Sequence, residues 1–246
     1  AAFAASFFVV ERMRKPLPLV IGFGLLFAFI LFWIYPITAI DVFAYVLQGR
    51  LEVFHHLNPL AAPASLAPQD PLLPFIGEWK DTPSPYGPIW AAIATTVVRL
   101  GFTGTINGTL VFKLLALVTY AACILLLVWG TDRNAKAILL FAWNPLVLLQ
   151  GPAHAHNDLL MITVATLALV LWDKRRWWWA AVVALMIAAL IKLPALLLGP
   201  LLLAAVLRDE ASWRRRALIF GGAAGLALVT ALIAYIPYWP PTESLA

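Results

Sequence analysis

INGTLVFKLLALVTYAACILLLVW (106–129) carries a single charge, Lys113, in an otherwise apolar run. A helix needs about 20 predominantly apolar residues to cross the hydrocarbon core of a bilayer, so this stretch assigns the chain to lipid rather than water. Six other windows have the same character or nearly so, at 17–39, 135–151, 158–172, 178–193, 195–207 and 217–238. The composition agrees: 63% of the 246 residues are hydrophobic and 12% charged, with mean hydropathy +0.90. A soluble domain carries about 45–50% apolar and about 25% charged residues.

The net charge of +5 does not point to nucleic acid, because the basic residues fall in short runs between apolar windows and not along one exposed face. ERMRK (11–15), TDRNAK (131–136), WDKRR (172–176) and RDEASWRRR (208–216) hold 12 of the 17 lysines and arginines. The positive-inside rule places all four in the cytoplasm. The stretch 41–86 has five acids against Arg50 and Lys80, and GPAHAHND (151–158) and YWPPTES (238–244) have no lysine or arginine, so these three are expected outside. A crossing by GPIWAAIATTVVRLG (87–101) would put three basic loops outside, and it is therefore read as a short interfacial or re-entrant helix. The run 178–207 must go out and return, broken at Lys192-Leu193-Pro194, where proline bars a regular helix.

The expected fold is thus an all-α polytopic membrane protein of about seven transmembrane helices. Residues 1–246 form a single transmembrane domain, and residues 41–105 a long first extracytoplasmic loop with short interfacial helices. DVFAYVLQGRLEVFHHL, from Asp41, can form an amphipathic helix along the membrane surface. The chain opens at Ala1 without methionine and stops just after an apolar segment, so truncation at both ends is expected. One cysteine, Cys123, leaves no disulfide framework and no cysteine metal site.

Chemistry-bearing residues gather in the stretches assigned outside. Asp41 directly follows the first window, where a carboxylate meets both water and a helix-enclosed cavity, as a general base requires; a solvated acid or helix cap is the alternative. Tyr45, Gln48, Gly49 and Arg50 follow at helical spacing, and Asn58-Pro59 and Ser84-Pro85-Tyr86-Gly87-Pro88 close the loop. His154, His156, Asn157 and Asp158 can hydrogen-bond sugar hydroxyls or phosphate, while Asn157 or Asp158 also suits a helix N-cap. Two histidines at i and i+2 do not share a helix face, and no metal is expected there. Lys192 is an ionisable residue in an apolar stretch, which usually marks a site unless the side chain snorkels to the headgroups. Lys113 and Arg99 are read as snorkelling. Trp177, Trp178, Trp179 and Trp239 are read as interfacial belt residues.

The order Asp41, Tyr45, Gly49-Arg50, Asn58-Pro59, Tyr86-Gly87-Pro88, Trp143-Asn144-Pro145-Leu146, His156-Asn157-Asp158 and Lys192-Leu193-Pro194 resembles polyprenyl-phosphate-sugar-dependent glycosyltransferases of the GT-C fold, notably bacterial mannosyltransferases and the GPI first mannosyltransferase. Each motif is weak and the ordered set, covering about residues 35–200, is fairly specific. The chain departs from many GT-C enzymes in lacking a second acid close to Asp41: only Glu52 is near, and there is no Asp-x-Asp.

The resemblance implies inverting transfer of a hexose, mannose by resemblance, from a polyprenyl-phosphate sugar to a glycan or glycolipid acceptor at the outer face of a multi-pass cell membrane protein. Asp41 is then the base. Lys192, with Arg50 or His156, holds the donor phosphate, and Tyr45, Gln48, Tyr86, Trp90, His154, Asn157 and Asp158 contact substrate. Trp90 can stack on a sugar ring or pack in the core. No cofactor, metal or nucleic-acid partner is expected; the lipid-linked sugar is substrate. The rival readings are a transporter or flippase, which calls for polar residues near the midplane, and a non-catalytic scaffold. Convergence of Asp41, His156 and Lys192 separates them.

Overall fold

A computed structural model describes residues 2–36, 40–173 and 177–239, which are helical with no strand among them. In chain order the helices are α1 (Ala2–Arg12), α2 (Leu17–Phe32), α3 (Asp41–His55), α4 (Pro88–Arg99), α5 (Thr105–Gly130), α6 (Ala135–Ala142), α7 (Pro145–Leu148), α8 (Asp158–Asp173), α9 (Trp178–Ile191), α10 (Gly199–Asp209) and α11 (Trp213–Tyr235). A π turn (Leu149–Ala153) follows α7, and a 3₁₀ segment (Leu193–Leu198) joins α9 to α10. Parts of the expected WDKRR loop and of the final YWPPTES lie outside the described residues.

Local chemistry sets the helix ends. Asn134 caps α6 by accepting from Lys136 N and Ala137 N, and Asn144 caps α7 by accepting from Leu146 N at 3.0 Å with Pro145 as its first residue. Trp143, just before that cap, donates from Nε1 to Val20 O at 2.8 Å and packs edge-on against Phe23 and Phe27. The Trp143-Asn144-Pro145 motif thereby ties the α6–α7 corner to α2. The break in 178–207 falls where expected: Lys192 is extended, and α9 stops at Ile191.

Among the described residues two helices, Thr105–Gly130 and Trp213–Tyr238, are long and apolar enough to cross a membrane. A third span results if Pro145–Ala153 and Asp158–Asp173, bent by 116°, count as one. The other apolar helices, Leu17–Phe32, Pro88–Arg99 and Trp178–Ile191, are shorter. The window 135–151 is two short helices and a π turn, because Asn144-Pro145 restarts the helix inside it. Within the stretch 87–101, Pro88–Arg99 form one short helix, α4.

The main core gathers α3, α4 and α5 with α2 and α6 around Tyr45, Trp90, Phe112 and Tyr120; a second core of alanines and leucines lies between α8 and α9. Small residues at that second contact let the two backbones approach closely, which is how helices associate in lipid. α11 packs against α9 yet buries no residue fully, leaving Leu228, Leu232 and Ile233 outward.

Three expectations are corrected. Every residue from Val42 to Gly49 is buried, so α3 is a core element and not a one-faced surface helix. It is enclosed because α4, α5 and the following loop pack on different sides of it. Lys113 does not snorkel: it is 3% exposed and its ammonium donates to Ile34 O and Ala153 O. Arg50 turns away from the other candidate residues. Its Nε donates to both oxygens of the buried Asp70 at 2.9 and 3.1 Å and its Nη1 to Thr103 O, and His55 shares the same carboxylate at 2.8 Å. This network fastens the 57–86 loop onto α3.

Candidate active site

Two glycines build the frame. Gly49 faces the backbone of Ala94 so closely that a Cβ would overlap its carbonyl, which lets α3 and α4 cross in contact. Gly87 does the same against the Leu190 carbonyl, and its N–H donates to Ile191 O at 3.1 Å. The second contact stitches the end of the long loop to the end of α9. It carries Tyr86, one residue earlier, to a ring position 5.7 Å beneath the Lys192 ammonium.

Asp41 opens α3, where the positive end of the helix dipole favours a carboxylate. Its Oδ2 lies 3.1 Å from His156 Nδ1, with both side chains about one-fifth exposed. The His156 hydrogen bond and charge, with Tyr86 and Lys192 nearby, hold the Asp41 carboxyl below its usual range against the opposing effect of burial. Asp41 is consequently ionised at neutral pH and able to accept a proton. The tyrosines stand behind it: Asn157 N donates to the Tyr45 hydroxyl at 3.2 Å, the Tyr45 and Tyr86 rings pack edge to face with centroids 5.4 Å apart, and Tyr86 lies close enough to Asp41 to favour its charged form. Burial, then the neighbouring charge of Asp41, pushes Tyr86 well above the usual tyrosine range, so it stays a neutral donor.

Lys192 pairs with Asp158 at 2.6 Å, an exposed-enough contact for a ligand anion to share. His154 stands 6.3 Å from His156, ring to ring, and burial, His156 and Lys113 favour its neutral form. The loop between them carries strain: Ala155 has φ +59, held by its N–H to Gly151 O and by His156 N–H to Gln150 O. Non-glycine residues in this region cluster at functional sites.

The structure thus brings together Asp41, Tyr45, Tyr86, His156, Asn157, Asp158 and Lys192, with His154 alongside. Trp90 is 2% exposed and packs against Tyr45 with ring centroids 4.6 Å apart, which makes it core and not a sugar platform. Asn157 does not cap α8 with its side chain; it is 2% exposed, and both its amide atoms lack partners. Gln48 lies one turn beyond Tyr45 and lines a narrow cleft of about 30 Å³ with Asp41, Trp79, Ser84 and Tyr86. Its Oε1 is buried and has no hydrogen-bond partner. Sequence reasoning overlooked Asp70, although a lone arginine on an otherwise apolar helix calls for an acid, and it misjudged Lys113. Among the described residues no three His, Cys, Asp or Glu side chains gather as metal ligands.

The described residues are thus all-helical and largely apolar, with a carboxylate paired to an imidazole at a cluster of helix ends. Comparison with known proteins narrows the class. The model of the family described as alpha-(1->6)-mannopyranosyltransferase, N-terminal domain, matches residues 7–208, and the chain belongs to that family.

Among curated relatives, alpha-(1->6)-mannopyranosyltransferase A of Mycobacterium tuberculosis is 30% identical over 144 residues, 55% of this chain and 27% of the relative. The protein of the same name from Corynebacterium glutamicum is 24% identical over 149 residues, 57% of this chain and 29% of the relative. A probable alpha-(1->6)-mannopyranosyltransferase of Mycolicibacterium smegmatis is 28% identical over 138 residues, 52% of this chain and 24% of the relative. The matched stretch therefore spans about a quarter of the length of these relatives. No solved structure matches.

Proposed function

We propose that the chain carries the base-bearing part of a mannosyltransferase that moves mannose from a polyprenyl-phosphate donor to a hydroxyl of a glycan or glycolipid acceptor at the outer membrane face. The acceptor oxygen attacks the anomeric carbon, the bond from that carbon to the phosphate oxygen breaks, and Asp41 takes the hydroxyl proton. The polyprenyl phosphate leaves with the bonding electron pair, and its low basicity removes the need for a general acid. Lys192 stabilises the charge that grows on it. Gln48 and Tyr86 contact the acceptor in the cleft beside Asp41, and His156 orients the carboxylate.

The observation that carries the reading is the Asp41–His156 pair, which joins two remote segments at one site. The family and its relatives' names supply the mannosyl chemistry. Arg50, committed to Asp70, is left out of the donor site.

The proposed topology has seven spans, with the shorter apolar helices crossing by tilting or by local thinning of the bilayer. It is supported by contacts among the basic loops: Glu11 and Lys136 pair at 2.6 Å, and Trp172, Asp209 and Glu210 line one cleft. A transport reading draws no support from the polar cluster, which gathers at helix ends and not along a path through the bundle.

The test is transfer of labelled mannose from a polyprenyl-phosphate mannose in membranes holding the full-length parent protein or its Asp41→Asn variant. Loss of about 10²–10⁴-fold in rate is expected for a general base. Undiminished transfer by the variant would remove Asp41 from that role.

A further inference from the structure

We infer that Lys113 is a positioning residue for the transfer reaction: one ammonium donates to a backbone carbonyl on each of the two segments that carry Asp41 and His156, and so sets their separation. The inference rests on the reading of Asp41 as the base.

Lys113 lies in the third turn of α5, 3% exposed, and pairs with no described carboxylate. A buried ammonium is costly unless its donors are used, so the partners it has reveal its purpose. They are Ile34 O and Ala153 O, each at 2.5 Å, with the Phe32 ring 5.9 Å away. Ile34 lies two residues past the end of α2, next to Tyr35, whose ring centroid is 6.4 Å from that of Phe43 on the helix that Asp41 opens; Ala153 ends the π turn and lies three residues before His156. The end of the π turn at Ala153 is where the backbone presents partial negative charge, and an ammonium shared between its carbonyl and that of Ile34 holds the two segments together.

Without it, two unsatisfied carbonyls would face each other in an apolar surrounding. The strained Ala155, one residue before His156, shows that the second segment is held in a conformation it would not adopt alone. The groups facing Asp41 are His156, Tyr86 and Lys192. Lys113 touches none of them and acts only through the backbone.

Lys113 also lines an aromatic-walled groove with Phe32, Trp33, Tyr35 and Phe43, which raises the competing role of binding the donor's phosphate. Kinetics separate the two. Full-length Lys113→Met, Lys113→Arg and Asp41→Asn proteins are assayed in membranes with a polyprenyl-phosphate mannose and a short α-1,6-mannoside acceptor, across pH. Positioning predicts that Lys113→Met lowers kcat about 10- to 100-fold with little change in donor KM, as for a misplacement of about 1 Å in the reacting groups.

It also predicts that the acid limb of the pH profile moves upward, because a loosened His156 no longer depresses the Asp41 carboxyl, and that Lys113→Arg restores part of kcat. A raised donor KM at unchanged kcat would assign Lys113 to the phosphate and overturn the inference. So would a kcat loss with no movement of the acid limb, which marks a purely structural role. Full activity of Asp41→Asn would sink the base assignment itself and this inference with it; a dead Asp41→Asn beside a fully active Lys113→Met sinks this inference alone. If Lys113→Met fails to accumulate, Lys113→Gln, too short to reach both carbonyls, takes its place, and the same outcomes decide.

Discussion

At the residue scale, the working unit is a carboxylate tuned by its neighbours. Asp41 at the head of a helix is ordinary in a sequence; its depressed pKa comes from His156, which only folding supplies. Removing the imidazole leaves burial as the dominant influence, and burial raises a carboxyl pKa. In His156→Ala the acid limb of the transfer rate should therefore move to higher pH, measurable as a pH–rate profile in membranes. An unshifted limb would mean that His156 does not act on Asp41.

Arg50 shows the reverse lesson. A cation beside a candidate base looks like a phosphate ligand in the sequence, yet its planar fork is filled by Asp70, whose side chain is fully buried. Breaking such a pair strands a buried charge. Asp70→Ala should cost about 3–5 kcal/mol, seen as a lower melting midpoint in detergent, with donor KM unaltered in the protein that survives.

At the element scale, the motif glycines act by absence of a side chain. Gly87 admits the backbone of Leu190, and the resulting hydrogen bond to Ile191 O brings the long loop to the α9 break. Gly87→Ala should force the two segments apart at a cost of about 1–3 kcal/mol, the range for overpacking, and displace Tyr86 from Lys192. The measurable result is transfer lost out of proportion to the fall in folded protein; equal losses would make Gly87 a stability residue only. The proline break after Lys192 was legible because proline has no amide hydrogen to donate. The burial of every residue from Val42 to Gly49 in α3 was not legible, since an amphipathic pattern reports one buried face and says nothing of a loop folding back over the other.

At the scale of the whole molecule, the arrangement makes a topological prediction that the buried single cysteine renders easy to test. Cys123 is 1% exposed, so within this stretch an introduced cysteine reports alone, and the protein without the introduced cysteine serves as the labelling background. In intact cells a membrane-impermeant maleimide should label Glu78→Cys, in the long loop, and leave Lys136→Cys unlabelled until the cells are opened. Labelling of both, or of Lys136→Cys only, would invert or abolish the proposed sidedness.

The sequence by itself determined the solvent, the basic loops, the proline break and the residues from which a site is made, because hydrophobic length and charge placement act locally and additively. It could not determine which of the five basic residues outside the basic loops does chemistry. Arg50 is held by Asp70, Lys113 by two backbone carbonyls and Lys192 by Asp158, because a buried charge takes its role from the partners that folding brings to it. Those partners lie far along the chain or carry no side-chain signature at all.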